Sequence, residues 1–196
     1  MRFVSLDFET TGVVRGYPNE PWQLGIVSFD MPDACGASVS FVRECRFDVR
    51  EWFFNIPIDR PFSPRAPGRW AEMREALASA PTFMDVWPDL SEILAGVPLV
   101  AHNAATERTI LEKRAPLTRF DPWMDTLRMV RKCCPSMKSY ALGDLISAFG
   151  LSGDVDAICP GRTWHDALYD ACAGAVLFAH IAHLFLHIDF SHRNMP

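Results

Sequence analysis

Positions 3 to 9 alternate in character: Phe3, Ser5, Asp7 and Glu9 fall on one side of an extended strand, and Val4, Leu6 and Phe8 fall on the other. The pattern predicts a strand with one apolar face and two carboxylates sharing the opposite face. Thr10-Thr11-Gly12 stops it. Trp22 to Phe29 and Ser38 to Val49 read as two further strands joined by a turn at Met31 to Gly36, so the first part of the chain predicts an antiparallel meander. From Arg50 to Arg74 the alternation is lost, because Pro57, Pro61, Pro64 and Pro67 break any regular element, and the stretch reads as a long loop or insertion.

A helical period resumes over Phe83 to Leu94 and is closed by Gly96, after which Pro98 to Ala101 gives a short buried strand. Asn103 is placed to cap a helix that runs to about Arg114 and is stopped by Pro116. A strand near Trp123 to Leu127 precedes a helix from Ser139 to Phe149, and a last long helix begins near Asp166 with Ala171, Ala175, Phe178, Ala182 and Phe185 at helical spacing. The most membrane-like stretch, Ala171 to Ile188, is interrupted by His180, His183 and His187 and reads as a buried helix, not a span. The predicted order is βββαβαβα in a single domain, 1–196, with a Pro/Arg/aromatic-rich insertion at about 50–74.

Composition narrows the class. With 49% hydrophobic and 22% charged residues, the chain is an ordinary globular domain and not a disordered one. A domain of 196 residues needs no disulfide scaffold. Its six cysteines include no CxxC pair, so reduced thiols and a cytoplasmic location are expected. Asp7 interrupts the N-terminal segment before an apolar run long enough for a signal peptide develops. A net charge of -5 disfavours a broad basic surface that coats nucleic acid and leaves room for a grip on one strand end.

The candidate chemistry lies in acids at the ends of predicted elements: Asp7 and Glu9 on the first strand, Glu107 in the first turn after Asn103, and Asp170 on the last helix. If these carboxylates converge, they repel and their pKa values rise unless cations neutralise them. Hard oxygen ligands suit two divalent ions, Mg²⁺ or Mn²⁺. Such a pair serves phosphodiester hydrolysis, with His165 at hand as general base.

Three ordered motifs carry a resemblance: Asp7-Phe8-Glu9-Thr10-Thr11-Gly12, then Val100-Ala101-His102-Asn103-Ala104-Ala105-Thr106-Glu107, then His165-Asp166-Ala167-Leu168-Tyr169-Asp170-Ala171. In order and spacing they resemble the DEDDh-type 3′-5′ exonucleases, the DnaQ-like group. The likeness extends over most of the chain outside Arg50 to Arg74. It implies a ribonuclease H-like α/β fold, a mixed β-sheet of three antiparallel strands followed by alternating helices and strands, flanked by helices. It also implies that Asp7, Glu9, Glu107 and Asp170 hold the metals, that His165 deprotonates the attacking water, and that Phe8, Thr10, Thr11 and Gly12 contact substrate. Glu107 departs from the family pattern, which has Asp there. One extra methylene keeps the charge and changes the reach, and Mg²⁺ is exacting about geometry.

The activity so implied is removal of nucleoside 5′-monophosphates from single-stranded 3′ ends, with DNA ahead of RNA, although nothing in the residues separates the two sugars. The second reading is a non-catalytic or weakly active nucleic-acid- or polymerase-binding module of the same fold. Partners implied are single-stranded nucleic acid 3′ ends, with a DNA polymerase or a second copy left open, and no membrane. Other residues carry blander expectations. His102 reads as a satisfied buried histidine, Asp125 as a helix cap or hydrogen-bond acceptor, and His180, His183 and His187 as a polar face in preference to a zinc site. Trp52, Phe53, Phe54, Phe62 and Trp70 interleave with Arg50, Arg60, Arg65 and Arg69, a pattern open to base stacking, to docking a partner, or to packing beneath the loop.

Overall fold

The computed structural model of the chain describes residues 1–31, 42 and 45–184. At its centre is β1 (Arg2–Thr10), paired antiparallel with β2 (Pro21–Asp30), which pairs antiparallel with β3 (Arg46–Phe53). On its other side β1 runs parallel to β4 (Leu99–Ala101), and β4 parallel to β5 (Trp123–Asp125), giving the order β3-β2-β1-β4-β5. The meander and the later strands follow the predicted order. The carboxyl ends of β1, β4 and β5 therefore share one edge, where open α/β sheets bind their ligands.

The third strand is displaced from its predicted span. It continues through Phe53, so Arg50 to Phe53 belong to the sheet and not to the insertion. β3 is an edge strand whose residues are all exposed or half-buried, and an edge strand needs no strict alternation. Positions 32–41, which held the predicted turn and the start of that strand, lie outside the described residues.

A 3-10 turn at Trp70–Met73 leads into α1 (Arg74–Ala78), followed by α2 (Phe83–Leu94), α3 (Ala105–Arg114), α4 (Thr126–Cys133), α5 (Leu142–Ala148), α6 (Ser152–Ile158) and α7 (Ala167–Leu184). A capping box opens α2: the Thr82 hydroxyl accepts the Asp85 N–H at 3.3 Å, and the Asp85 carboxylate accepts the Thr82 N–H at 2.8 Å. The chain turns helical at Thr126, where a strand through Leu127 was expected, because the Asp125 carboxylate accepts the Arg128 N–H at 3.2 Å and caps α4.

Helices cover both faces. Val4, Leu6 and Phe8 pack with Leu90 and Leu94 of α2 and Ile110 and Leu111 of α3. Phe3, Val27 and Phe29 pack with α7, which is buried nearly all round and reads as apolar for that reason. Among the described residues, no helix is long and apolar enough to cross a membrane. His180 lies against the Phe149 ring at 5.0 Å, while the side chain of His183 and the whole of His187 lie outside the described residues.

The aromatic segment packs inward. Phe54 is buried among Phe8 and Phe83, Phe53 stacks on Trp22, and Phe62 stacks on Trp70 with centroids 4.6 Å apart. Arg60 is buried too, donating to Glu20 at 2.8 Å and lying over the Tyr17 ring. Phe54 and Phe62 are thus core residues beneath the loop, not a platform for bases.

Helix α7 comes down very close to the sheet at Gly25, which pairs with Asp7 in β1. A Cβ on Gly25 would lie 2.2 Å from the Ala167 carbonyl oxygen and 2.4 Å from the Leu168 Cα, both backbone atoms that have no room to retreat. Gly25→Ala is expected to cost at least the 1 to 3 kcal/mol typical of overpacking, read as a lowered urea midpoint. Gly153→Ala, in α6 with nothing within 4 Å of its Cβ position, is expected to gain about 0.5 to 1 kcal/mol. Equal effects at the two positions would refute the close approach of α7.

Candidate active site

Asp7 and Glu9 project from the end of β1 on the face that α7 covers. Regular pairing with β2 is interrupted between Glu9 and Thr10, as sheets often are beside a site. Asp170, in the first turn of α7, accepts the backbone N–H of His165 on Oδ2 at 3.2 Å. Ligand atoms of Glu9, His165 and Asp170 all lie within 4.8 Å of one another. Glu107 enters from the first turn of α3 and is only 5% exposed. Asp7 lies in the field of the other three carboxylates, Glu107 first, then Asp170 and Glu9. All four predicted carboxylates and His165 thus come to one cleft.

Electrostatics there are unfavourable as long as every carboxyl is ionised. Burial, then repulsion from Glu107, Asp170 and Glu9, holds the Asp7 carboxyl well above its ordinary range. Burial, then Asp170 and Asp166, pushes Glu9 up to about 8. Burial is also the main cause that lifts Asp170 to about 7 and Glu107 to about 7. Among the described residues, no Lys or Arg forms an ion pair with any of the four. Glu107 Oε2 and Asp170 Oδ1 are buried with no hydrogen-bond partner. Buried acceptors of this kind ordinarily find a partner, and a hard divalent cation supplies one for each while removing the repulsion. The donor set therefore fits Mg²⁺ or Mn²⁺.

Two residues near the cleft, His165 (φ 65) and Asn103 (φ 67), are the non-glycine residues with left-handed backbone among those described. Such conformations persist where surroundings enforce them and collect at functional sites. Around His165 the enforcement is a network that the motifs did not reveal. Arg162 donates to both oxygens of Glu51, at 2.7 and 2.9 Å, and to Asp166 at 2.6 Å. Buried Gln23 donates to Glu51 at 2.7 Å and to Asp166 at 3.2 Å, and accepts the Ala167 N–H at 3.3 Å. Asp166 also accepts the Leu168 N–H at 3.0 Å, which ties the start of α7 to β2 and β3. The available signals were the i, i+4 spacing of Arg162 and Asp166, and the place of Gln23 opposite Glu9 in β2.

The four residues expected to touch substrate divide. Phe8 points to the other face of the sheet, into the core beside Phe54, because strand alternation sends it away from Asp7 and Glu9. Thr11 is fully buried. Its hydroxyl accepts the Glu20 N–H at 3.0 Å and an Arg60 N–H at 3.3 Å, and its backbone N–H and C=O bond to Glu20 and Ser63. Thr11 thus holds the turn in place, and its polar groups are already engaged. Thr10 and Gly12 remain partly exposed at the strand end, and Gly12 (φ 71) packs so tightly that its Cβ position lies 2.7 Å from Ser63 Cβ.

Beside the cleft, His102 bonds Thr126 Oγ1 and the Tyr140 carbonyl, each at 2.9 Å, as a satisfied core histidine. Asn103 does not cap α3; Ala104 holds that position, and the Asp125 carboxylate accepts the N–H groups of Asn103 at 3.2 Å and Ala104 at 3.3 Å.

The sheet order and the helices on both faces define an α/β protein of the ribonuclease H-like fold. No family model matches the chain. Over 153 residues it is 27% identical to 3′-5′ exonuclease DinG of Staphylococcus saprophyticus, a match that spans 76% of this chain and only 15% of that protein. Among solved structures, the zinc-bound form of the E. coli ExoI–ssDNA complex superposes with a TM-score of 0.71 at 15% identity, covering 98% of this chain and 43% of that one. S. pombe Pop2p in its Mg²⁺- and Mn²⁺-bound form gives 0.65 at 16% identity, covering 95% and 86%. A full-length 3′-exonuclease gives 0.63 at 14% identity, covering 94% and 60%.

The raised carboxyls make a stability prediction. A carboxyl whose folded pKa is raised stabilises the fold fully below its unfolded value, and that contribution is lost as pH rises through the folded value. With Glu9 moving from 4.5 to about 8, Glu107 from 4.5 to about 7 and Asp170 from 3.8 to about 7, the cation-free protein is expected to lose stability across that range. Chemical denaturation in chelator at a series of pH values measures the loss. Asp170→Asn should flatten the slope, and a wild-type slope of the opposite sign would reject the crowding.

Proposed function

We propose that the chain is a divalent-cation-dependent 3′-5′ exonuclease acting on single-stranded nucleic acid, DNA ahead of RNA, and releasing nucleoside 5′-monophosphates. The observation that carries this reading is the convergence of two buried carboxyls, Glu9 and Glu107, and two half-buried ones, Asp7 and Asp170, none with a cationic partner among the described residues, with one exposed histidine at the carboxyl edge of the sheet. The DinG relative, whose name states a 3′-5′ exonuclease, and the likeness to ExoI structures with ssDNA support it.

Asp7, Glu9, Glu107 and Asp170 would hold two ions, Mg²⁺ or Mn²⁺. When bound, these neutralise the carboxylates and stabilise the charge that develops on the phosphodiester oxygens. His165 takes the proton of the attacking water; the Asp170 carboxylate fixes its backbone, and its exposure lets it pass the proton to solvent. Glu107 stands where the resembling family has Asp.

The test is a time course on 5′-labelled single-stranded DNA and RNA with Mg²⁺, Mn²⁺ or chelator, resolved to single nucleotides. A ladder shortening from the 3′ end is expected with metal, and Asp7→Ala should abolish it. Residual cleavage by that variant near the wild-type rate would sink the site assignment. Glu107→Asp is expected to change the rate only a few-fold. A rise of orders of magnitude from an inactive wild type would instead favour a binding module of the same fold.

A further inference from the structure

Next to the carboxylate cleft lies a cavity of about 490 Å³ that the chemistry above does not use. It sits at the β5 edge of the sheet, between α3 and α4, and its lining includes Arg108, Trp123, Asp125, Arg128 and Lys132. Three cations here face one carboxylate, in a chain whose net charge is -5. That carboxylate is already engaged, since Asp125 accepts the N–H groups of Asn103, Ala104 and Arg128. Arg128 lies 3.7 Å from Asp125, whereas among the described residues Arg108 and Lys132 have no carboxylate partner. Arg108 instead lies over the Trp123 ring, 5.6 Å from its centroid.

The geometry relates this cavity to the cleft. Ala104 and Ala105, at the start of α3, line the cavity, and Glu107 in the same helical turn faces the carboxylates. The first turn of α3 is therefore a wall common to both, and a helix is about 10 to 12 Å across with its side chains. A few nucleotides of extended strand cover that distance.

We propose that the cavity is a second subsite on the nucleic-acid path, taking phosphates and one base on the 5′ side of the nucleotide held in the cleft. The proposal rests on the exonuclease reading above for the position of the 3′ end. Arg108 and Arg128 present guanidinium forks and Lys132 a point charge, a combination suited to backbone phosphates. Trp123, partly exposed at the sheet edge, offers a face for a base in exchange for its contact with Arg108. An anionic strand thereby finds uncompensated positive charge on a protein that is acidic as a whole.

The experiment compares wild type with the double variant Arg108→Ala/Lys132→Ala, both substitutions being at exposed helical positions. Binding of a labelled single-stranded decanucleotide and of a labelled nucleoside 5′-monophosphate is measured with Ca²⁺ at about 50 and about 200 mM salt. The decanucleotide should bind about tenfold more weakly to the variant at the lower salt, with a salt dependence shallower by roughly one to one and a half log units per log unit. The mononucleotide, which occupies only the cleft, should change by less than about twofold. Unchanged decanucleotide binding, or an equal loss for both lengths, would overturn the subsite. So would polyglutamate competing as well as an oligonucleotide of equal charge, since the cavity would then select an acidic polypeptide. A wild type that holds the decanucleotide through these cations yet shortens no strand with Mg²⁺ or Mn²⁺ supports the subsite and overturns the exonuclease reading.

Discussion

The descent of α7 onto the backbone of β2 is the contact on which the rest of the structure depends. It requires a position with no side chain where the helix begins, which Gly25 supplies, and it sets Asp170 beside the carboxylates of β1. Farther along the helix, Gly174 makes a second close approach, with Ser5 Oγ 2.9 Å from its Cβ position. Two glycines thus bring a long helix against the central strands at a distance bulkier residues would prevent. Packing over the apolar face of α7 provides the stability that such an approach needs.

That contact places like charges together, so it has to be held against their repulsion. Three carboxyls raised to between about 7 and about 8, with Asp7 raised as well, mean that the cation-free fold favours protonated acids near neutral pH. Charge balance nearby is arranged differently. Glu51 and Asp166 share Arg162, and Gln23 satisfies both, so the charges supporting the His165 loop are paired while those in the cleft are not. The contrast is informative because both groups lie within a few residues of one another. A fold able to pair one set of carboxylates leaves the adjacent set open, as expected where cations rather than side chains are to be the partners.

Much of this was legible in the sequence because its signals are local. Alternation over Phe3 to Glu9 fixed which side chains face α7. The ordered motifs singled out four carboxylates and His165, and only the fold shows that these residues come together. Tertiary context decided the remainder. Phe8 and Thr11 fall within the first motif, but strand alternation buries one, and the hydrogen bonds of Arg60 and Glu20 enclose the other. Asn103 had the composition of a cap; its left-handed backbone and the remote carboxylate of Asp125 moved the cap to Ala104. The Arg and aromatic run after Phe53 had the composition of a strand-binding surface. Only the fold shows that Phe54, Arg60 and Phe62 turn inward.

Charge placement follows from the same economy of space. The cleft carries four acids, so a phosphate approaching the cation-free protein meets repulsion there, and two bound divalent ions raise the local charge by four units. A strand whose only contact lay in the cleft would have an affinity tied wholly to ion occupancy. Arg108, Arg128 and Lys132 line the neighbouring cavity, and none of them forms an ion pair with the four carboxylates. On the proposed reading, keeping these cations out of the cleft would leave its carboxylates to divalent ions, while the cavity would offer phosphate an attraction that does not depend on them.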